Sequence, residues 1–167
     1  MLRDFVAFPV LVLVVILQSA VISRISLLSG FGDLMMVVLV AWALQSGATS
    51  PWLWALLGGF LVGFVTRVPW PAILLGYLLV TLMARLLQRR VWQAPLLAMF
   101  SVTFLGTIIV NVLVFISLQI AGNPITFNEA IGLIMLPALL LNLLFSLPVY
   151  YIMRDLARWV DPSAEVE

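Results

Sequence analysis

The stretch Gly58-Gly59-Phe60-Leu61-Val62-Gly63-Phe64-Val65-Thr66-Arg67-Val68-Pro69-Trp70-Pro71 joins two apolar segments near the middle of the chain. In its first half, Ala55, Gly59 and Gly63 recur at every fourth position. Residues four apart share one helix face, so these three form a flat stripe with almost no side chain. In lipid such a stripe lets a second helix approach closely, with van der Waals contact replacing the missing hydrophobic drive. The second half leaves the apolar run through Arg67 and the prolines Pro69 and Pro71. Two readings stand: an ordinary packing helix closed by an ordinary turn, or the central helix of a compact bundle whose turn faces a partner.

Composition sets the solvent. Of the 167 residues, 65% are hydrophobic and 9% are charged, and the mean hydropathy is +1.24. A typical soluble domain is about a quarter charged, so this chain cannot cover a globular surface with polar groups. An integral membrane protein is expected. No stretch is long enough for a separate soluble module, so 1–158 reads as a single membrane domain and 159–167 as a short cytoplasmic tail. The chain contains neither Cys nor His, which removes thiolate metal sites and the commonest general base. The formal net charge is +1 and no basic run suggests nucleic acid. The apolar start of the chain, with Arg3 before it, reads as a retained first span rather than a cleaved signal.

Six spans are expected, over 5–22, 34–46, 52–65, 72–87, 96–120 and 130–153. Pro9 falls early in the first, and Gln18 and Ser19 near its end are either interfacial or bonded to a neighbouring helix. Asp33 stands where an N-cap belongs, with a rim carboxylate as the alternative. Ser50-Pro51 is a good N-cap and N1 pair. Thr103, Thr107 and Asn111 share a face of the longest span, and Asn111 needs a protein partner. Thr126-Phe127-Asn128-Glu129 fits a capping box. Pro137 and Pro148, flanking Asn142, predict kinks or a broken last helix.

Six spans place both termini on one side. That side then carries Arg3, Arg85, Arg89, Arg90, Arg154 and Arg158, against Arg24 and Arg67 on the other, so the positive-inside rule gives N-in, C-in. The outer rim holds Arg24, Asp33, Arg67, Trp70 and Glu129, where ion pairs are expected. Intramembrane polarity comes from the uncharged Gln18, Thr107, Asn111 and Asn142. No enzyme motif, metal-ligand spacing or phosphate loop is present, so no cofactor is expected, and a non-catalytic binding or scaffold role remains.

The order of short motifs along almost the whole chain resembles the MreD family of bacterial rod-shape proteins. These motifs are Leu17-Gln18-Ser19 closing span one, a Gly- and Asp-containing start of span two over 30–34, and Gly59-Phe60-Leu61-Val62-Gly63 before a proline turn. The last span adds Asn142, Pro148, Tyr150 or Tyr151, and then Arg154. The family commonly has Asp shortly after the Gly-Phe-x-x-Gly element. Here that neighbourhood reads Thr66-Arg67, so no role of that carboxylate carries over. The resemblance implies a multi-pass protein of the bacterial inner membrane. Its partners would be MreC and, more widely, MreB, RodA and a class B penicillin-binding protein of peptidoglycan synthesis. The implied fold is an all-α bundle similar to the substrate-binding subunits of energy-coupling-factor transporters. That similarity leaves a small-molecule-binding transport subunit as the alternative function, with a pocket formed by Gln18, Trp70, Asn111 and Asn142.

Overall fold

The computed structural model describes residues 6–20, 26–27, 29–46, 48, 50–66, 68–88, 94–122 and 125–160. Among them lie six helices: α1 (Ala7–Ala20), α2 (Leu34–Ala43), α3 (Pro51–Val65), α4 (Trp70–Gln88), α5 (Pro95–Ile120) and α6 (Phe127–Val160). A small antiparallel ribbon, β1 (Ser26–Leu27) with β2 (Gly30–Phe31), precedes α2. Among the described residues the regular structure is all helical apart from this ribbon. Helices α4, α5 and α6 are long and apolar enough to cross a membrane, and α1, α2 and α3 are shorter apolar helices.

The helices begin and end close to where the sequence places them, with local corrections. α4 starts at Trp70, so the proline turn is shorter than expected. Pro71 falls in the first turn, where its missing N–H breaks no ladder bond. α6 runs on to Val160, so the tail begins later than position 159. Ser50 does not cap α3 with its hydroxyl. It adopts a left-handed conformation (φ 49°) and offers its carbonyl to the N–H groups of Leu53 and Trp54, ahead of Pro51 in the first turn. Thr126 and Glu129 do form the reciprocal capping box.

The centre of the bundle is α2, not the glycine-striped α3. All ten residues of α2 are buried, and it packs against each of the other five helices. The α3 stripe serves the first of the two readings: it closes α3 onto its neighbour α4. A methyl group on Gly59 would lie 2.8 Å from Leu74 Cδ1 and 3.1 Å from Leu74 Cα, and one on Gly63 would lie 2.8 Å from Trp70 Cβ. Gly58 faces Met35 and Leu39 of α2 instead. We therefore expect Gly59→Ala to cost about 1–3 kcal/mol, the usual penalty of overpacking. Gly132, which has open space around it, should gain up to about 1 kcal/mol as Ala from helix propensity. Paired thermal melts in detergent check this contrast.

The last helix is irregular at one proline only. Ala130–Met135 is a π-helical segment immediately before Pro137, while the α-helix passes unbroken through Pro148. Pro137 has no N–H for the carbonyl of Leu133 four residues earlier. That carbonyl accepts the N–H of Ser29 instead, at 3.1 Å. The proline thereby opens a docking point for the ribbon, and Gly30 sits against the same turn. The outer faces are strongly apolar. Phe64 is 87% exposed and Ile120 is 83% exposed.

Candidate functional site

The first turn of any helix leaves amide donors without intrahelical partners. At the start of α2 these donors are met by residues from two other helices and by the cap. The Asp33 carboxylate accepts the Met36 N–H at 3.0 Å, as its N-cap position predicts. Gln18 of α1 reaches in, and its Oε1 accepts the Met35 N–H at 2.9 Å. The Asp33 N–H donates to Asn142 Oδ1 of α6 at 2.7 Å. Asn142 Nδ2 in turn donates to Thr107 Oγ1 of α5 at 3.0 Å. Tyr77 of α4 points its hydroxyl between the Asp33 oxygens, 2.8 Å from Oδ1 and 3.0 Å from Oδ2. Five helices are thus joined by one polar seam.

The seam continues along α5. The Thr107 hydroxyl donates to the Thr103 carbonyl at 2.7 Å, and Asn111 Nδ2 donates to the Thr107 carbonyl at 2.8 Å. The shared face of these residues is therefore a ladder of side-chain bonds back to the preceding turn. Of the intramembrane polar set read from the sequence, Gln18, Thr107 and Asn142 converge directly. Asn111 joins only through a backbone carbonyl and stands half-buried beside an apolar cleft.

Among the described residues Asp33 accepts from neutral donors, and an ion pair forms between Arg154 and Asp155 at the end of α6. The compensation of Asp33 comes from the Tyr77 hydroxyl, the Met36 amide and the positive end of the α2 dipole. Glu129, exposed at the start of α6, likewise takes neutral donors, the amide and hydroxyl of Thr126. The ion pairs expected of these two carboxylates would involve Arg24 and Arg67, which lie outside the described residues; among the described residues both carboxylates accept cap hydrogen bonds. A cap fixes the direction of an isolated carboxylate with shorter side chains than an arginine pair needs. Trp70 is exposed and stacks on Phe60 with ring centroids 5.9 Å apart. Arg154 lies 4.8 Å over the Tyr151 ring, beside Arg158 in the last turns of α6, and Arg85 closes α4. Arg24, Arg67, Arg89 and Arg90 lie outside the described residues.

Tyr77 is the member that sequence reasoning missed. Its signal was available in general form, since a phenol inside an apolar helix needs a hydrogen-bond partner. We expect Tyr77→Phe, which removes a donor from both Asp33 oxygens, to cost about 1–3 kcal/mol. Asp33→Asn, which keeps an acceptor for Met36 and for Tyr77, should cost less. The order of the two melting temperatures tests the assignment.

Among the described residues, Gln18, Asn111 and Trp70 line three separate hollows rather than the one expected. Gln18 lines a groove of about 360 Å³ between α1 and α3. Asn111 lines a cleft of about 260 Å³ beside the π segment, and Trp70 borders a hollow of about 180 Å³ on the α3–α4 hairpin. Asn142 is buried, with both ends of its amide committed within the seam. Gln18, Asn111 and Asn142 are linked through the seam, while Trp70 stands apart on the α3–α4 hairpin. No family model, curated protein or solved structure matches the chain.

Proposed function

We propose that this protein is a non-catalytic scaffold of the bacterial cell-elongation machinery, of the MreD kind, embedded in the inner membrane. In this reading all six helices sit in the bilayer, N-in and C-in, in a bundle similar to energy-coupling-factor substrate-binding subunits. One observation carries the reading. Residues from three of the short motifs on which the family resemblance rests are far apart in sequence, yet they meet at the start of α2. Gln18 from the first motif holds Met35. Asp33 from the second is bonded to Asn142 from the last, 109 residues away. A resemblance made of chance matches has no reason to select residues that touch.

The mechanism follows from the distribution of polarity. The seam fixes α1, α4, α5 and α6 to α2 through side-chain hydrogen bonds. The apolar outer faces are then presented in a fixed arrangement to a partner's transmembrane helix, which is MreC in this proposal, with RodA and the penicillin-binding protein in the wider assembly. Tagged protein recovered from its host membranes in mild detergent should bring an MreC-type protein with it. Recovery without MreC or the synthase would overturn the proposal. Arg67→Asp tests whether the turn after α3 takes part, read as complex recovery and cell shape.

A further inference from the structure

We infer that the groove between the ends of α1 and α3 is a phospholipid site, taking part of an acyl chain and the ester region of a membrane lipid. Its volume of about 360 Å³ lies at the lower end of the range for small-molecule sites. The walls are Val15 of α1, Val62 and Val65 of α3, and Phe31 of the ribbon. Polar groups gather at the helix ends, where α1 reaches Gln18 and Ser19 and α3 gives way to Thr66. An occupant must therefore be apolar along one part and polar at one end. It must also bring acceptors. Gln18 spends its Oε1 on Met35, and among the described residues its Nε2, with two N–H donors, has no protein acceptor. Ester and phosphate oxygens of a phospholipid meet that requirement. Val65 on the groove wall is an exposed apolar side chain, so an acyl chain entering past it meets an apolar surface. The cleft beside the π segment differs. Asn111 is its polar lining side chain, and the Nδ2 of that residue is already committed.

The inference rests on the membrane setting proposed above and on no protein partner. The full chain is first fractionated; recovery in the soluble fraction would overturn the membrane setting itself. Membrane-extracted protein is then washed in mild detergent, and the phospholipid it retains is counted by native mass spectrometry. Wild type should hold a single phospholipid through the wash. Val65→Trp, at an exposed position on the wall, should lose it by filling the groove. Gln18→Glu should also lose it, because it keeps the oxygen used by Met35 and exchanges the donor for an acceptor. Leu105→Trp, on the exposed face of α5, should retain it. Wild type with no retained phospholipid, or with a polypeptide in its place, would overturn the assignment. So would folded Val65→Trp and Gln18→Glu variants that hold as much lipid as wild type.

Discussion

Gly30→Ala should lower the melting temperature of the purified protein more than Gly59→Ala does. A methyl group at position 30 would stand 2.5 Å from the Ile134 carbonyl oxygen, 2.9 Å from the Ala138 nitrogen and 2.9 Å from Pro137 Cβ. Two of these three atoms are backbone, held in a helix that is itself packed against α2, α5 and the ribbon. At Gly59 the nearest atom is the mobile end of a leucine side chain, which can rotate away. At Gly30 the strand must lift. Lifting it strains the Ser29–Leu133 hydrogen bond on one side and the Asp33–Asn142 bond a few residues further on. Overpacking alone costs about 1–3 kcal/mol, and the coupled loss of hydrogen bonds places this variant at the upper end. At about 2–4 °C per kcal/mol for a chain of this size, the shift is readable by differential scanning fluorimetry. An unchanged melting temperature would mean that the ribbon does not seat on the π segment.

Asn142→Ala should be similarly damaging, for a different reason. Asn142 is 1% exposed and no water can replace its amide without a cavity being opened. Its loss leaves the Asp33 N–H without an acceptor, and it takes the donor from Thr107 Oγ1. The orphaned amide costs about 1–3 kcal/mol, and truncating the buried side chain adds a cavity penalty. Thr107→Val alone should cost less, because its hydroxyl is the smaller part of the seam. The double variant should fall short of the sum by about 0.5–3 kcal/mol, the usual coupling of residues in contact. Strict additivity would argue that the two side chains do not share a network. Asn142→Asp should not rescue: it keeps an acceptor for the amide but adds a second carboxylate near Asp33.

The positions of the helices were legible because their ends carry chemistry. Asp33, Thr126 with Glu129, and Pro51 each mark a helix start by supplying or dispensing with an amide partner. Which helix lies at the centre was not legible. In a soluble protein the polar face of a helix points outward and the pattern betrays it. Here buried and outward faces are equally apolar: Leu34–Ala43 is wholly covered, while α1, of comparable hydrophobicity, buries only Ala7, Leu11 and Val14. The glycine stripe of α3 drew attention because small residues are visible in a sequence, whereas burial of Met, Val and Leu is not. The site was legible in part. Gln18, Thr107 and Asn142 stood out as polar residues in apolar runs. Their pairing depends on contacts across five helices, and no local spacing encodes it. Tyr77 was hidden by a dual nature, since a tyrosine in an apolar helix equally suits a lipid interface.

The shortness of α2 has a consequence for how the chain is made. At about 1.5 Å per residue its ten residues span about 15 Å, half of a roughly 30 Å hydrocarbon layer. As it leaves the ribosome it is too short to settle across a bilayer alone, and the acceptor for its capping amide belongs to a helix not yet synthesised. Asn142 emerges 109 residues after Asp33. Until it does, the start of α2 carries an unmet donor in surroundings with little water. The seat of the second helix is therefore expected to be complete only once the sixth has been made. A nascent chain halted before residue 142 should remain open to protease within its ribbon region, and the released full chain should close.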